Sequence, residues 1–314
     1  MKKNFLKPVI FTLILLTSLI NCGCKARKVD LSGKVNVVCT IFPLYDWTLQ
    51  IIGRYFNNTT LSLMAKSNMD IHTFQPSTYD LAQLSTADIF VCVGGESEGW
   101  IYEALENVEN KDMIVINLTD ILSERIEAVQ KKSAQKETDE HLWLSIKNAE
   151  IAVQKITDAL CLLDKENAEN YKKDLEAYLV ELDGLDFEFQ DAVDKSKSKT
   201  LIFCDRFPFS WLMEDYGFSY YAPFNGCTLQ TEITQEKIDF LTQKLDELNL
   251  NAVCKIDGSS DKAARAVIKN SSHKLADIVT LDSMQSTSLR AAFEGKTYAS
   301  TMRKNLEELK KALD

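Results

Sequence analysis

Histidine is scarce in this chain: His72, His141 and His273 are the whole complement. His72 stands in Asn68-Met-Asp70-Ile-His72-Thr-Phe-Gln-Pro76-Ser77, and His141 in Asp139-Glu-His141-Leu-Trp143-Leu-Ser-Ile-Lys-Asn148. Both fall in acidic loops near strand ends or helix starts, where α/β folds place ligands. Imidazole is the common ligand for zinc and other borderline divalent metals. His273 follows Asn270-Ser-Ser and reads as an exposed turn. The second half adds sulfur and oxygen. Cys204-Asp205 ends the run Leu201-Ile-Phe, and Asp282 ends Asp277-Ile-Val-Thr-Leu. A thiolate and a carboxylate at the carboxyl ends of strands suit a metal. Each also has a plain structural role, Cys204 as a half-buried thiol and Asp282 as a helix cap. Asn225-Gly-Cys227-Thr-Leu-Gln-Thr-Glu232 offers a second thiol and carboxylate on a loop.

Other chemistries find little support. Gly94-Gly95-Glu96-Ser97 lacks the dinucleotide and P-loop spacings, and Glu96 would repel phosphate. It reads as a tight strand-to-helix turn. No His-Glu-x-x-His helix occurs. With 36 Lys+Arg against 46 Asp+Glu, the net charge of −10 disfavours nucleic-acid binding, which needs clustered Lys and Arg. Hydrophobic residues at 45% and charged residues at 26% exclude disorder.

The elements that must position these residues follow from periodicity. Short apolar, β-branched runs predict strands at Val35–Thr40, Leu61–Met64, Ile89–Val93 and Met113–Ile116. A second set is predicted at Leu201–Cys204, Phe218–Ala222, Ala252–Ile256 and Ile278–Leu281. They alternate with helical patterns, which predicts an α/β fold of two lobes, each a four-stranded parallel sheet with flanking helices. Between them, Tyr171, Leu175, Tyr178, Leu182, Leu185 and Phe189 recur at three and four residues. One long rigid helix from Asp164 to Asp194, roughly 45 Å at 1.5 Å per residue, would join the lobes. Asp164 and Asn167 are expected to cap its start, and Gly184 to mark a bend. The expected boundaries are 25–143 for the first lobe, 144–197 for the helical region and 198–314 for the second lobe. Ser123 to Glu140 is polar and expected as an exposed loop.

The first 24 residues read as an address. Lys2, Lys3 and Lys7 precede an apolar run, Pro8 to Ile20, too short to span a bilayer. A cysteine at the end of such a run looks like a lipidation site. Cys24 follows Gly23, and Cys22 has Leu19 three residues back; Cys24 is the preferred acceptor. The mature protein is then extracytoplasmic and lipid-anchored. Six cysteines remain: Cys39, Cys92, Cys161, Cys204, Cys227 and Cys254. Cys39, Cys92 and Cys254 sit in apolar runs and read as buried small hydrophobes. Cys204 and Cys227 stay open between ligands, free thiols and a disulfide.

Together these segments resemble the zinc/manganese solute-binding proteins of bacterial ABC importers, the cluster A-I family. The resemblance covers roughly Lys34 to the C-terminus. It rests on Thr40-Ile-Phe-Pro43-Leu-Tyr-Asp, the two His motifs, Ala87-Asp88-Ile-Phe-Val, Gly94-Gly95-Glu96-Ser97, Asp205-Arg-Phe-Pro208-Phe, Asn225-Gly-Cys227 and Lys296-Thr-Tyr298. It implies two lobes joined by one long helix, with metal in the cleft. His72 and His141 would each give one ligand, and the family's carboxylate ligand maps to Asp282. Cys204 stands where zinc members usually carry a third His. The Gly-Cys-x-x-x-x-Glu segment makes Cys227 and Glu232 rival ligands, alongside Asp205. The His-rich loop of many zinc members is replaced by Ser123–Glu140, which carries no His.

Two imidazoles, a thiolate and a carboxylate favour zinc; two imidazoles with carboxylates alone would admit manganese. The implied function is capture of the ion by a monomeric lipoprotein and delivery to a membrane permease, with an ATPase driving transport. A closed four-ligand site binds and does not catalyse. Two rival readings are a surface adhesin retaining the fold and a metallohydrolase using Glu140 as base.

Overall fold

The computed structural model describes residues 34–65, 70–132, 139–224, 226–227 and 232–313. The expected signal segment and both lipidation candidates, Cys22 and Cys24, lie outside them. From Lys34 to Asp314 the chain forms one compact unit.

The first half runs β1 (Val35–Cys39), α1 (Phe42–Ile52), β2 (Thr59–Leu63), a 3-10 turn (Ile71–Thr73), α2 (Thr78–Ser85), β3 (Ile89–Cys92), α3 (Trp100–Glu106), β4 (Ile114–Asn117), α4 (Leu118–Ile121) and α5 (Ser123–Lys132). A second 3-10 turn (Leu142–Leu144) leads into α6 (Ile146–Leu163) and α7 (Ala168–Lys195). The second half runs β5 (Thr200–Ile202), α8 (Ser210–Tyr216), β6 (Ser219–Tyr221), α9 (Gln235–Glu247), β7 (Ala252–Ile256), α10 (Lys262–Asn270), β8 (Asp277–Leu281), α11 (Leu289–Phe293) and α12 (Tyr298–Leu313).

The first sheet is all parallel in the order β2-β1-β3-β4, with Val37 opposite Ile89 and Ile89 opposite Ile114. Its centre is covered on both faces, so every residue of β3 is buried and the strand reads as an unbroken apolar run. The second set of strands differs from one continuous four-stranded sheet. It forms two parallel ladders, β5-β6 and β7-β8, joined by the bridge Phe203↔Cys254. The chain changes partner there: the Phe203 N–H goes to the Tyr221 carbonyl at 2.8 Å, and the Cys204 N–H to the Cys254 carbonyl at 2.8 Å.

The long helix α7 has 28 residues, about 42 Å. It buries Tyr171, Leu175, Tyr178, Leu182, Leu185, Phe189 and Val193. It packs against α6 and α1 from the first half and α12 from the end of the chain. Gly184 lies within its unbroken span. Asp164 does not open this helix; it closes α6, accepting bonds from the Asn167 side chain and the Tyr171 hydroxyl at 2.8 Å each. The polar stretch from Ser123 also departs from the expected loop. Ser123–Lys132 is helical because Ile126 is buried and Val129, three residues on, packs on the same core. Cys39, Cys92 and Cys254 are fully buried, as their apolar neighbours imply.

Candidate metal centre

The site is assembled from three loops. His72 sits inside the first 3-10 turn, whose cap Asp70 accepts the His72 N–H at 3.1 Å. His141 immediately precedes the second 3-10 turn and is completely buried. Cys227 follows β6 in a loop tied down by the Phe207 N–H to Gly226 carbonyl bond at 3.1 Å. One ligand atom from each of His72, His141 and Cys227 lies within 4.8 Å of the others. Among the described residues this is the one group of three such side chains placed to hold an ion.

The surroundings orient each candidate ligand. His72 Nδ1 is 2.7 Å from Ser97 Oγ, while its Nε2 is buried with no partner. A buried ring nitrogen left open is costly unless something fills the place beside it. His141 Nδ1 lies 2.6 Å from Asp139 Oδ1. That carboxylate also accepts the His141 N–H at 3.0 Å, the Ser210 N–H at 3.3 Å and the Ser210 hydroxyl. Carboxylate-backed imidazole is the usual support of a metal-binding histidine. Burial alone would push the His141 pKa down; the charge and hydrogen bond of Asp139 outweigh it and raise it to about 10. Burial alone would raise the Cys227 thiol; the two imidazoles beside it lower it to about 7. The cysteine is therefore a ready thiolate, as a metal ligand must be.

The Gly94–Ser97 turn is the buckle of this half. Its Glu96 and Ser97 N–H groups grip the carboxylate of Glu140, next to His141, while Ser97 holds His72. Gly95 is required here. Its φ is +81°, and a Cβ would come within 2.5 Å of the Glu140 carboxylate. The anion held by this turn is a side chain of the protein itself, and Glu140 is committed to it.

The second half brings different residues to the site than its strand ends suggest. Cys204 is packed into the apolar cluster with Ile202, Leu241, Leu245, Leu250 and Val253, and burial pushes its thiol well up. It is not a member of the group around the imidazoles. Asp282 accepts Lys296 Nζ at 2.6 Å and the Met284 N–H at 2.8 Å, so its charge is matched, and it lies outside the group around the imidazoles. Asp205 accepts the Arg206 N–H at 2.8 Å. Glu232 is exposed, on the wall of a cleft of about 1060 Å³ that Asp205, Asp282 and Gln285 also line. His273 is half-buried and outside the group.

Gln285, three residues past Asp282, is the residue that sequence reasoning missed. It is 4% exposed. Its Oε1 lies 2.9 Å from His141 Nε2 and 3.8 Å from Cys227 Sγ, and its Nε2 donates to Asp70 Oδ2 at 3.1 Å. Trp143 fixes its loop by donating Nε1–H to the Ser283 carbonyl at 2.8 Å.

The family described as zinc-uptake complex component A, periplasmic (ZnuA), matches residues 37–312. The chain belongs to the ZnuA family. Among relatives, the zinc-binding protein AdcA of Streptococcus pyogenes is 27% identical over 307 residues, which cover 92% of this chain and 58% of AdcA. The chain thus spans under two thirds of that relative. The high-affinity zinc uptake system protein ZnuA of Bacillus subtilis is 25% identical over 307 residues, covering 93% and 92% of the two chains. The crystal structure of the Zn(II)-bound ZnuA-like domain of Streptococcus pneumoniae AdcA superposes with a TM-score of 0.72 at 24% identity, over 90% of this chain and 100% of that one. A laminin-binding adhesin of Streptococcus agalactiae reaches 0.73 at 24% identity, over 88% and 99%. These likenesses establish a shared ZnuA-like fold, which transport proteins and an adhesin both use.

Proposed function

We propose that this protein captures a divalent cation, zinc before manganese, and hands it to a membrane permease powered by an ATPase. The observation that carries the reading is the convergence of His72, His141 and Cys227 within 4.8 Å, with the His72 Nε2 unpartnered. Two imidazoles, a thiolate and one oxygen make a borderline-soft tetrahedral set, which zinc prefers and manganese does not. The Gln285 carbonyl oxygen, 2.9 Å from His141 Nε2 and 3.8 Å from Cys227 Sγ, serves as the fourth donor. Such a set leaves no open coordination position, and Glu140 is bound to the Gly94–Ser97 turn, so the site is a binder and not a hydrolase. The family match and the zinc-named relatives support the same cargo. The N-terminal sequence supports a lipid-anchored position on the outer face of the cell membrane. Among the described residues, no helix is long and apolar enough to cross a membrane.

The test is metal content. The protein is stripped, kept reduced and offered equal zinc and manganese. One zinc per chain, lost in His72→Ala and in Cys227→Ser, is expected. No bound metal in the parent protein would overturn the reading.

A further inference from the structure

Asp70 never reaches the ligand group, yet three donors converge on its carboxylate. Oδ1 accepts the His72 N–H at 3.1 Å. Oδ2 accepts Arg206 Nη1 at 2.7 Å and Gln285 Nε2 at 3.1 Å. Arg206 and Gln285 both come from the second half of the chain, 136 and 215 positions away. A carboxylate accepts and cannot donate, so it fixes which end of the Gln285 amide faces it. The NH₂ must point at Asp70, and the carbonyl oxygen must point at His141 and Cys227. A reversed amide would aim two N–H groups at an incoming cation.

We propose that Asp70 is a positioning residue that sets the zinc affinity of the site, by holding Gln285 so that it presents its oxygen as the fourth donor. The inference rests on the metal-capture reading and names how its last donor is set. The same carboxylate caps the turn that carries His72. One side chain therefore aligns a nitrogen donor from the first half with an oxygen donor from the second. Outer partners of this kind typically govern metal affinity by about tenfold to a hundredfold.

Asp70→Asn offers one acceptor where three donors meet, so either the His72 turn or the Gln285 amide loses its partner. The expected result is a zinc affinity at least about tenfold weaker. Adding Gln285→Glu to Asp70→Asn should restore it, because a carboxylate presents oxygen whichever way it turns. Asp70→Asn binding like the parent, or a double variant no tighter than Asp70→Asn alone, would overturn the proposal. A second readout needs neither metal nor variant folding. In the metal-free parent, the Gln285 side-chain amide protons should give a distinct, slowly exchanging NMR pair. A freely exchanging pair would overturn the proposal. Failure of metal capture itself shows separately, as a parent protein that binds no zinc.

Discussion

Ser97 Oγ sits 2.7 Å from His72 Nδ1 and leaves the other ring nitrogen buried and without a partner. The hydroxyl belongs to the same turn that grips Glu140 beside His141. One strand-to-helix turn therefore sets the direction of one imidazole and the backbone position of the other. Ser97→Ala should keep the fold and weaken zinc binding about tenfold to a hundredfold. Competition against a chromophoric chelator checks this; an unchanged affinity would show that the ring is held by packing alone.

The two thiols of the second half should behave oppositely. Cys227→Ser removes a ligand and should cost more affinity than any change outside the ligand group, with little loss of stability. Cys204→Ser places a hydroxyl in an apolar cluster where the thiol is 3% exposed. It should cost about 1–3 kcal/mol of stability and leave zinc affinity intact. Thermal unfolding and zinc titration of both variants decide the matter, and the reverse pattern would return Cys204 to the site.

Zinc affinity should rise with pH. To bind, Cys227 must lose its proton, held with a pKa of about 7, and His141 must lose one held with a pKa of about 10. Binding thus releases protons. Below pH 7 both contribute, roughly a hundredfold in affinity per pH unit; between 7 and 10 only His141 does, about tenfold per unit. Without metal, the His141 contribution to stability has the opposite sign. The His141–Asp139 pair favours the fold fully below the ordinary imidazole pKa of 6.5 and loses that contribution as pH rises through 10. Calorimetry in buffers of different ionisation enthalpy counts the protons, and a pH-independent affinity would contradict the assignment.

Glu98 carries a second pH signature. Its carboxylate accepts the Val93 and Gly94 N–H groups at 2.9 and 2.8 Å, yet complete burial pushes its pKa from 4.5 up to about 7. The folded form binds this proton more tightly than the unfolded form, so stability falls as pH rises from 4.5 through 7. Glu98→Gln, neutral throughout, should gain up to about 3 kcal/mol over the parent at high pH relative to acid pH. Unfolding midpoints that differ by the same amount at every pH would refute this.

Much of the architecture was legible because burial imposes periodicity. The eight strands and the apolar stripe of α7 lie where short apolar runs and three-four spacing put them. The split of the second sheet was not legible, since the partner exchange at Phe203 and Cys204 depends on backbone bonds that no side chain announces. Helix α5 was hidden by its composition, because one buried edge through Ile126 is a weak signal among charged neighbours. The histidines stood out by scarcity and by their acidic loops. Choosing between Cys204 and Cys227 required knowing that Cys204 turns into the apolar cluster. Gln285 gave no signal at all: a neutral amide carries no titration signature, and its value comes from Asp70, far away in sequence.

The most direct measurement is zinc X-ray absorption on the loaded protein. The account predicts one sulfur at about 2.3 Å together with nitrogen and oxygen neighbours at about 2.0–2.2 Å. That sulfur should persist in Cys204→Ser and disappear in Cys227→Ser. A parent spectrum with no sulfur, or a sulfur lost in Cys204→Ser instead, would contradict the site built here from His72, His141 and Cys227.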